Sequence, residues 1–314
     1  IDLTINSTNI TNKNFTWNTS ITLSHNKNSV KKLTGEDVQL WEANFGYSQN
    51  THIIGVNQPL GQMYGYVTDG LYQVSDFDYD AATKTYTLKD GVPYAGEKGN
   101  VKPGMWKFKN IDGSKDNKIT EADKTVIGNA YPKIYGGINN TFTYKDFDLS
   151  IFLTYSIGND VFNATKLTNT KTALQNKNVL AVADSKHRWV LVNKAGDLIT
   201  DPQEMADINK GKTVAAIYDN EAGDTYIHSW AVEDGSFLKL SNITLGYTFP
   251  KKMIRKVGLS KLRLYATGSN LLTWTKYSGF DPEVSTMGNG LTPGVDFGAY
   301  PRSRAFVFGI NLAF

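Results

Sequence analysis

The chain is 314 residues long, 40% of them hydrophobic, and its formal net charge is +3. No apolar run approaches the ~20 residues of a membrane-spanning helix, and so small a net charge gives no support for a nucleic-acid-binding protein. The sequence contains no cysteine, which excludes disulfides, cysteine-ligated zinc and a thiol nucleophile.

The first segments of the chain alternate between apolar and polar residues. "IDLTIN" alternates from Ile1 onward, and in "NFTWNTSITLS" Phe15, Trp17, Ile21 and Leu23 share one side. Side chains of a strand point to opposite faces in turn, so both segments predict amphipathic β-strands. Ile1 is not a methionine and no signal-like stretch follows it, so we expect the chain to be a piece of a longer polypeptide.

A β-hairpin is predicted over "GINNTFTYKDFDLSIFLTYSIG". Two alternating runs flank the polar pair Lys145–Asp146, which is typical of a tight hairpin turn. The apolar members are Ile138, Phe142, Tyr144, Phe147, Leu149, Ile151, Leu153 and Tyr155.

Three further strands are predicted towards the end of the sequence. "SNITLGYTFP" and "LRLYATGSNLL" alternate, the second more weakly, and Pro250 closes the first because proline cannot donate to a ladder. The last segment, "RAFVFGINLAF", places a large apolar residue at every second position, a pattern that we take as a terminal barrel-strand signal. These residues are Phe306, Phe308, Ile310, Leu312 and Phe314.

The connections between these strands alternate in length. Short ones are predicted at 6–14, 145–146 and 250–261, and long ones at 27–134, 157–235 and 273–303. An up-and-down barrel in an outer membrane has short turns at one end and long external loops at the other.

Aromatic residues near both ends of the apolar faces favour the same fold, because such barrels carry two aromatic girdles. The sequence thus predicts an all-β fold, a partial transmembrane antiparallel β-barrel with at least seven strands. A soluble β-sandwich, whose inner faces also alternate, is the alternative.

If the apolar sides meet lipid, the polar sides face a lumen. This parity selects nine candidate lumen-facing residues: Asn139, Thr141, Asp148, Ser150, Thr154, Asn242, Thr244, Arg263 and Asn311.

Several longer stretches carry a resemblance to a known family. They are "PLGQMYGYVTDGLYQ", "PGMWKFKNIDGSKDNKITEADKTVIGNAYPKIYGGINNTFTYKDFDLSIFLTYSIGNDVFN", "VEDGSFLKLSNITLGYTFP", "LRLYATGSNLLTWTKYSGFDPE" and "YPRSRAFVFGINLAF". In this order, from about residue 59 onward, they resemble the C-terminal portion of a SusC/RagA-type TonB-linked (TonB-dependent) outer-membrane protein.

That resemblance implies a barrel of about 22 strands, of which residues 1–314 would form the C-terminal part. The plug domain and the TonB box would lie outside this chain, and the partial barrel would close against the plug and the remaining strands. The resemblance also implies a place in the outer membrane of a Gram-negative, Bacteroidetes-like cell. There the protein would import oligosaccharides or peptides unchanged, with TonB supplying energy and a SusD-like lipoprotein capping the external loops.

One external loop has the spacing of a cation-binding EF-hand loop. In "DGSKDNKITEAD" oxygen-bearing side chains fall at loop positions 1, 3, 5, 9 and 12, and a backbone carbonyl would serve position 7. The candidate ligands are Asp112, Ser114, Asp116, Lys118 (through its carbonyl), Thr120 and Asp123. Asn117 replaces the usual glycine and Asp123 the usual glutamate. The loop therefore predicts either a weak structural Ca²⁺ (or Mg²⁺) site or a metal-free turn.

The remaining motifs point away from catalysis. The sequence contains no G-x-S-x-G, H-E-x-x-H or G-x-G-x-x-G motif, so we expect no enzyme. "PKKMIRKVGLSK" is a basic short turn that is either solvated or in contact with lipid headgroups or a partner. An alternative function is a surface-exposed soluble β domain that binds glycans with a calcium-braced loop.

Overall fold

A computed structural model describes residues 1–44, 48–170, 178–218, 226–286 and 289–314. The strands in these ranges are β1 Asp2–Thr11, β2 Phe15–Ser24, β3 Val38–Asn44, β4 Ser48–Gly55, β5 Gln62–Tyr66, β6 Thr68–Leu71, β7 Phe77–Asp80, β8 Thr85–Leu88, β9 Tyr94–Ala95, β10 Trp106–Phe108, β11 Lys118–Ile119, β12 Lys124–Asn129, β13 Ile134–Tyr144, β14 Phe147–Ile157, β15 Asp160–Asn163, β16 Val232–Asp234, β17 Phe237–Thr248, β18 Lys261–Thr275, β19 Val295–Asp296 and β20 Ala305–Ala313.

Seven long strands form one antiparallel sheet, which we call the wall sheet. Its order is β1-β2-β13-β14-β17-β18-β20, so each strand pairs with its neighbours among the long strands in chain order. Within the described ranges β1 and β20 are each paired on one side only. The wall sheet is therefore an open section of an up-and-down antiparallel array.

The connections at one end of the wall sheet are short. β13 and β14 are joined by Lys145 and Asp146, as predicted, and Lys145 adopts a left-handed φ of 52°. The connection expected at 6–14 is wrong, because β1 runs on to Thr11 and leaves only residues 12–14 between the strands. Residues 6–8, 10 and 11 are paired with β2, and a bulge lies between Thr8 and Ile10.

The other end of the wall sheet carries the three long connections, residues 25–133, 158–236 and 276–304. We call their described residues the loop layer. It contains a four-stranded sheet of order β12-β5-β4-β3, a three-stranded sheet of order β16-β15-β19 and three strand pairs.

The apolar core of the molecule lies in the loop layer. Of the buried apolar side chains in the described ranges, all but Phe237 and Ile254 belong to it. One cluster packs Tyr66, Trp106 and Phe108 against Trp189 and Met205, which come from a different long connection. The long connections therefore fold together as one packed body.

The described ranges contain three short α-helices: α1 Ala164–Asn169, α2 Pro202–Ile208 and α3 Lys251–Ile254. Side-chain caps start the first two, because Asn163 accepts a bond from the Lys166 N–H (2.8 Å) and Asp201 from the Glu204 N–H (2.7 Å). No helix in the described part of the chain has the length and apolar character needed to cross a membrane.

Candidate functional site: the two faces of the wall sheet

The nine residues selected by parity share one face of the wall sheet. The register continues from strand to strand: Thr141 pairs with Ser150, Ser150 with Thr244, and Thr244 with Thr267. Arg263 pairs in turn with Asn311. We call this the polar face; its position against a lumen stays a prediction.

Side chains on the polar face bond to one another across strands. The Ser150 hydroxyl donates to Asn139 Oδ1 at 3.2 Å, and the Ser269 hydroxyl donates to Asn242 Oδ1 at 2.7 Å. Thr244 and Thr267 share a hydrogen bond of 2.8 Å. These are neutral hydroxyl and amide groups, which can donate to and accept from a polar solute as readily as from each other.

One ion pair crosses a strand on the same face. Arg263 Nε and Nη2 donate to the two carboxylate oxygens of Asp148 at 3.0 and 2.5 Å, a bidentate arrangement. Asp148 lies on β14 and Arg263 on β18, so the pair spans the intervening strand β17 at Gly246. A Cβ at Gly246 would collide with both side chains. The glycine thus allows the only two predicted charged lumen residues to neutralise each other.

The opposite face of the wall sheet is apolar and uncovered. Rows of paired residues cross it, such as Phe142, Leu149 and Leu245. The five residues of the terminal strand signal, Phe306, Phe308, Ile310, Leu312 and Phe314, are between 53% and 90% exposed. We call this the apolar face.

A chain of polar side chains interrupts the apolar face on β1, β2 and β13. Ser7 donates to Asn9 (2.9 Å), Asn9 to Thr19 (2.7 Å) and Thr19 to Asn140 (2.7 Å). The indole Nε1–H of Trp17 also donates to Asn140 Oδ1 at 3.0 Å. Each of these residues has a partner within the chain, as polar groups in an apolar medium require.

Sequence reasoning missed this polar chain. It passed over Asn140 between Ile138 and Phe142, although neighbouring Asn139 and Asn140 must point to opposite faces. That dipeptide was the available signal that one asparagine lies on the apolar side.

The loop of residues 112–123 is a tightly bonded turn. Both oxygens of the buried Asp123 accept backbone N–H groups, from Ile111 (2.7 Å) and Asp112 (3.2 Å) at Oδ1 and from Thr120 (2.8 Å) at Oδ2. Asn117, at the position usually held by glycine, adopts a left-handed φ of 57°. The last acid of the motif therefore closes the loop through the backbone.

Of the other candidate ligands of this loop, Asp112, Asp116 and Thr120 are exposed, and Ser114 and Lys118 are half-buried. Asp112 Oδ1 accepts the Ser114 N–H (2.8 Å) and Asp116 Oδ1 accepts the Lys118 N–H (3.1 Å). Bonds from the Lys118 N–H and from Ser114 hold the pKa of Asp116 below its ordinary value, so it stays ionised. No group of three or more acidic or histidine side chains in the described ranges is arranged to hold a metal ion. Cation binding here stays a prediction.

A four-residue ionic cluster at the loop end of the wall sheet was not predicted. Lys239 of β17 contacts the carboxylates of Asp281 (3.4 Å) and Glu283, both from "FDPE", and Arg302 contacts the same two at 2.6 and 3.3 Å. Lys239 is only 4% exposed, so two acids compensate a buried cation. The cluster ties the last long connection to β17.

Known proteins resemble the chain along its whole length. It is 32% identical to TonB-dependent receptor P3 of Formosa agariphila over an alignment of 320 positions, which includes all of this chain and 28% of the relative. It is 30% identical to TonB-dependent receptor P39 of the same organism over 97% of this chain and 29% of that protein. TonB-dependent receptor SusC of Bacteroides thetaiotaomicron is 27% identical over all of this chain and 26% of its own length. The chain thus spans about 28% of the curated relative P3, and no family model matches it.

The fold also matches solved structures. A structure of the RagAB peptide transporter superposes on all of this chain with a TM-score of 0.65 at 22% identity, over 29% of that chain. The RagAB peptide importer in the closed-closed state gives a TM-score of 0.62. These likenesses confirm the predicted fold class, a section of an antiparallel outer-membrane-type barrel, and the relatives confirm the resemblance predicted from the sequence.

Proposed function

We propose that this chain, which is similar over its full length to TonB-dependent receptors of the SusC type, forms part of the wall of an outer-membrane importer. The observation that carries the proposal is the wall sheet, whose one face is mostly apolar and uncovered and whose opposite face is mostly polar from β1 to β18. Such a sheet would fit the outer membrane of a Gram-negative, Bacteroidetes-like cell. Cargo would cross the lumen without chemical change, so the protein would not be an enzyme.

The exposure of the apolar face supports a lipid environment. Contiguous apolar surface of this extent is unfavourable in water and marks a membrane or protein contact. The loop layer of the same chain buries its large apolar residues in packed clusters. The sequence therefore does form a buried apolar core elsewhere. The contrast argues against a soluble glycan-binding domain, whose apolar face would be covered.

The uncovered edges support further chain segments as partners. β1 and β20 each present one row of unpaired backbone groups in the described structure, and hydrocarbon cannot satisfy them. We infer that the remaining barrel strands close the sheet and that a plug fills the lumen. TonB would act on the plug, and a SusD-like lipoprotein would cap the loop layer, as in the family.

The polar face favours neutral cargo. Its candidate lumen residues are mostly hydroxyls and amides, and Asp148 and Arg263 neutralise each other. Such a surface suits the many hydroxyl groups of an oligosaccharide, so we propose glycan uptake. Peptide cargo is the second candidate, because the solved RagAB proteins are named as peptide transporters.

Spin labels on the apolar side of β14 and β20 test the wall. In the full receptor, reconstituted in lipid, labels at Leu149, Ile151, Leu153 or Ile310 should be reached by molecular oxygen and not by a water-soluble nickel chelate. A label at Ser150, on the other face, is the matched control and should lack lipid contact. Nickel access at Ile151, or shielding from both reagents, would contradict a lipid-facing wall.

Uptake measurements test the cargo. Cells that depend on the full receptor should lose growth on a glycan, and not on peptides, when the polar face is blocked by Thr244→Trp. The reverse pattern would assign peptides as the cargo, and unchanged growth on both would contradict a lumen at this face.

A further inference from the structure

The connection between β17 and β18 is helical and strongly basic. α3 covers Lys251–Ile254, a 3₁₀ turn follows over Arg255–Val257, and Gly258 ends it with a left-handed φ of 76°. We call residues 250–261 the basic turn. It contains no acidic residue and five cations: Lys251, Lys252, Arg255, Lys256 and Lys261.

The basic turn has one buried apolar side chain and two exposed ones. Ile254 is 4% exposed and fixes the segment to the molecule, whereas Met253 and Val257 are 60% and 69% exposed. Met253 and Val257 are four residues apart, a spacing that places side chains on the same side of a helix. The segment therefore presents two apolar side chains among cations.

The cations of the basic turn are free to meet an external anion. Lys251, Lys252, Arg255 and Lys256 are all exposed. Among the residues that the structure describes, none of these four lies within ion-pair distance of a carboxylate.

The basic turn lies where the apolar face ends. At the end of β17, the rings of Tyr247 and Phe249 meet edge to face with their centroids 4.9 Å apart, and the ring of Tyr247 lies 4.6 Å from that of Phe147 on β14. Aromatic rings of this kind mark the level of the lipid headgroups on a membrane barrel. Lysine and arginine next to such a band meet the lipid phosphates.

We propose that the basic turn docks on anionic phospholipid headgroups of the leaflet at the short-turn end, with Met253 and Val257 inserted at the boundary with the acyl chains. The inference rests on the proposed function, because it needs the wall sheet to stand in a bilayer. Interfacial segments that combine cations with apolar side chains bind anionic lipid in this way. A solvated turn would gain nothing from two exposed apolar residues.

Site-directed spin labelling of the full receptor tests the proposal. The label replaces Val257 (Val257→Cys), and the receptor is placed in nanodiscs of phosphatidylcholine alone or mixed with phosphatidylglycerol. With phosphatidylglycerol, the label should be reached by oxygen and shielded from a nickel chelate. In the variant Lys251→Gln/Lys252→Gln/Arg255→Gln/Lys256→Gln, the label should become accessible to the chelate again. The enrichment of phosphatidylglycerol around the receptor should fall roughly fivefold for each charge removed.

A charge-matched control is Lys31→Gln/Lys32→Gln/Lys194→Gln/Lys210→Gln, which removes four exposed cations of the loop layer and should leave the label at 257 unchanged. Chelate access at 257 in every nanodisc would mean a solvated turn, and shielding from both reagents would mean a protein contact; either result overturns the proposal. A second label at Phe308 separates the two proposals. If Phe308 is in lipid and 257 is not, only the basic-turn proposal fails, and if Phe308 is not in lipid, the membrane wall fails.

Discussion

The wall sheet and the loop layer differ in the exposure of their large apolar side chains. In the loop layer Phe108 is 1% exposed and packs its ring 5.4 Å from Tyr66 and 5.5 Å from Tyr226. In the wall sheet Phe308 is 80% exposed and belongs to an uncovered face. Burial inside the chain stabilises the first, and only an apolar surrounding can stabilise the second. The difference is the one expected if, as proposed, the wall sheet lies in lipid and the loop layer in water.

The largest expected effect is a loss of stability in the loop layer that leaves the wall sheet unchanged. Phe108→Ala should destabilise it by about 3–5 kcal/mol, because a large ring is lost from a packed core. Hydrogen exchange of the full receptor in lipid should show faster exchange in residues 62–129 and unchanged exchange in the wall sheet. Phe308→Ala is the matched control and should leave the loop layer as it is. Equal effects of the two variants would contradict the comparison.

The next largest effect is expected from a charge on the apolar face, which should destabilise the wall sheet. Ile151→Arg should cost about 2–4 kcal/mol in vesicles, the cost of arginine on the lipid face of a barrel near mid-bilayer. Ser150→Arg, one residue away on the polar face, should cost much less. Urea unfolding of the full receptor from vesicles measures both, and a similar cost for the two would refute the assignment of faces.

Acid should loosen the loop layer without loosening the wall sheet. His52 is fully buried; burial lowers its pKa to about 4, against the bond to the Pro293 carbonyl, which favours the charged form. The unfolded chain binds a proton near pH 6.5 and the folded chain only near pH 4, so stability falls as pH drops between these values. The loss should reach about 3 kcal/mol.

Thermal unfolding of the loop layer between pH 7 and pH 4 measures this loss. His52→Gln should flatten the pH profile, whatever its effect on stability at pH 7. A profile that stays as steep in the variant would assign the pH dependence to other groups.

The smallest expected effect concerns the loop at 112–123. Calcium should bind it with a Kd on the order of 10⁻³ M, as in weak extracellular sites, and slow its proteolysis slightly. Asp112→Asn/Asp116→Asn should abolish this protection, whereas Asp80→Asn/Asp90→Asn, in the same long connection, should not. Calorimetry that detects no calcium binding to the full receptor would leave the loop as a metal-free turn.

Local pattern was sufficient to predict the strands of the wall sheet and the face of each of its nine candidate residues. The side-chain period of a strand is two, so Leu149 and Ser150 had to lie on opposite sides wherever β14 paired. The extent of β1 was missed, because Asn6 and Ser7 look like turn residues in isolation. Pairing with β2 kept them in the sheet.

The contacts that cross strands could not be predicted in the same way. Thr19 meets Asn140 and Asp148 meets Arg263 only because the register sets them side by side. Sequence periodicity carries no information on register between strands more than a hundred residues apart. The core of the loop layer was missed for the same reason, since Tyr66 and Trp189 come from different connections.

The sequence alone therefore determined that the chain is built of amphipathic strands with short and long connections in turn, and which residues share a face. Periodicity and turn chemistry are local properties, and each is written in adjacent residues. Only the tertiary structure decided which polar groups neutralise one another, how the long connections pack into one body, and that the apolar face stays uncovered. Those properties depend on strand pairing and solvent, which no single segment of the sequence contains.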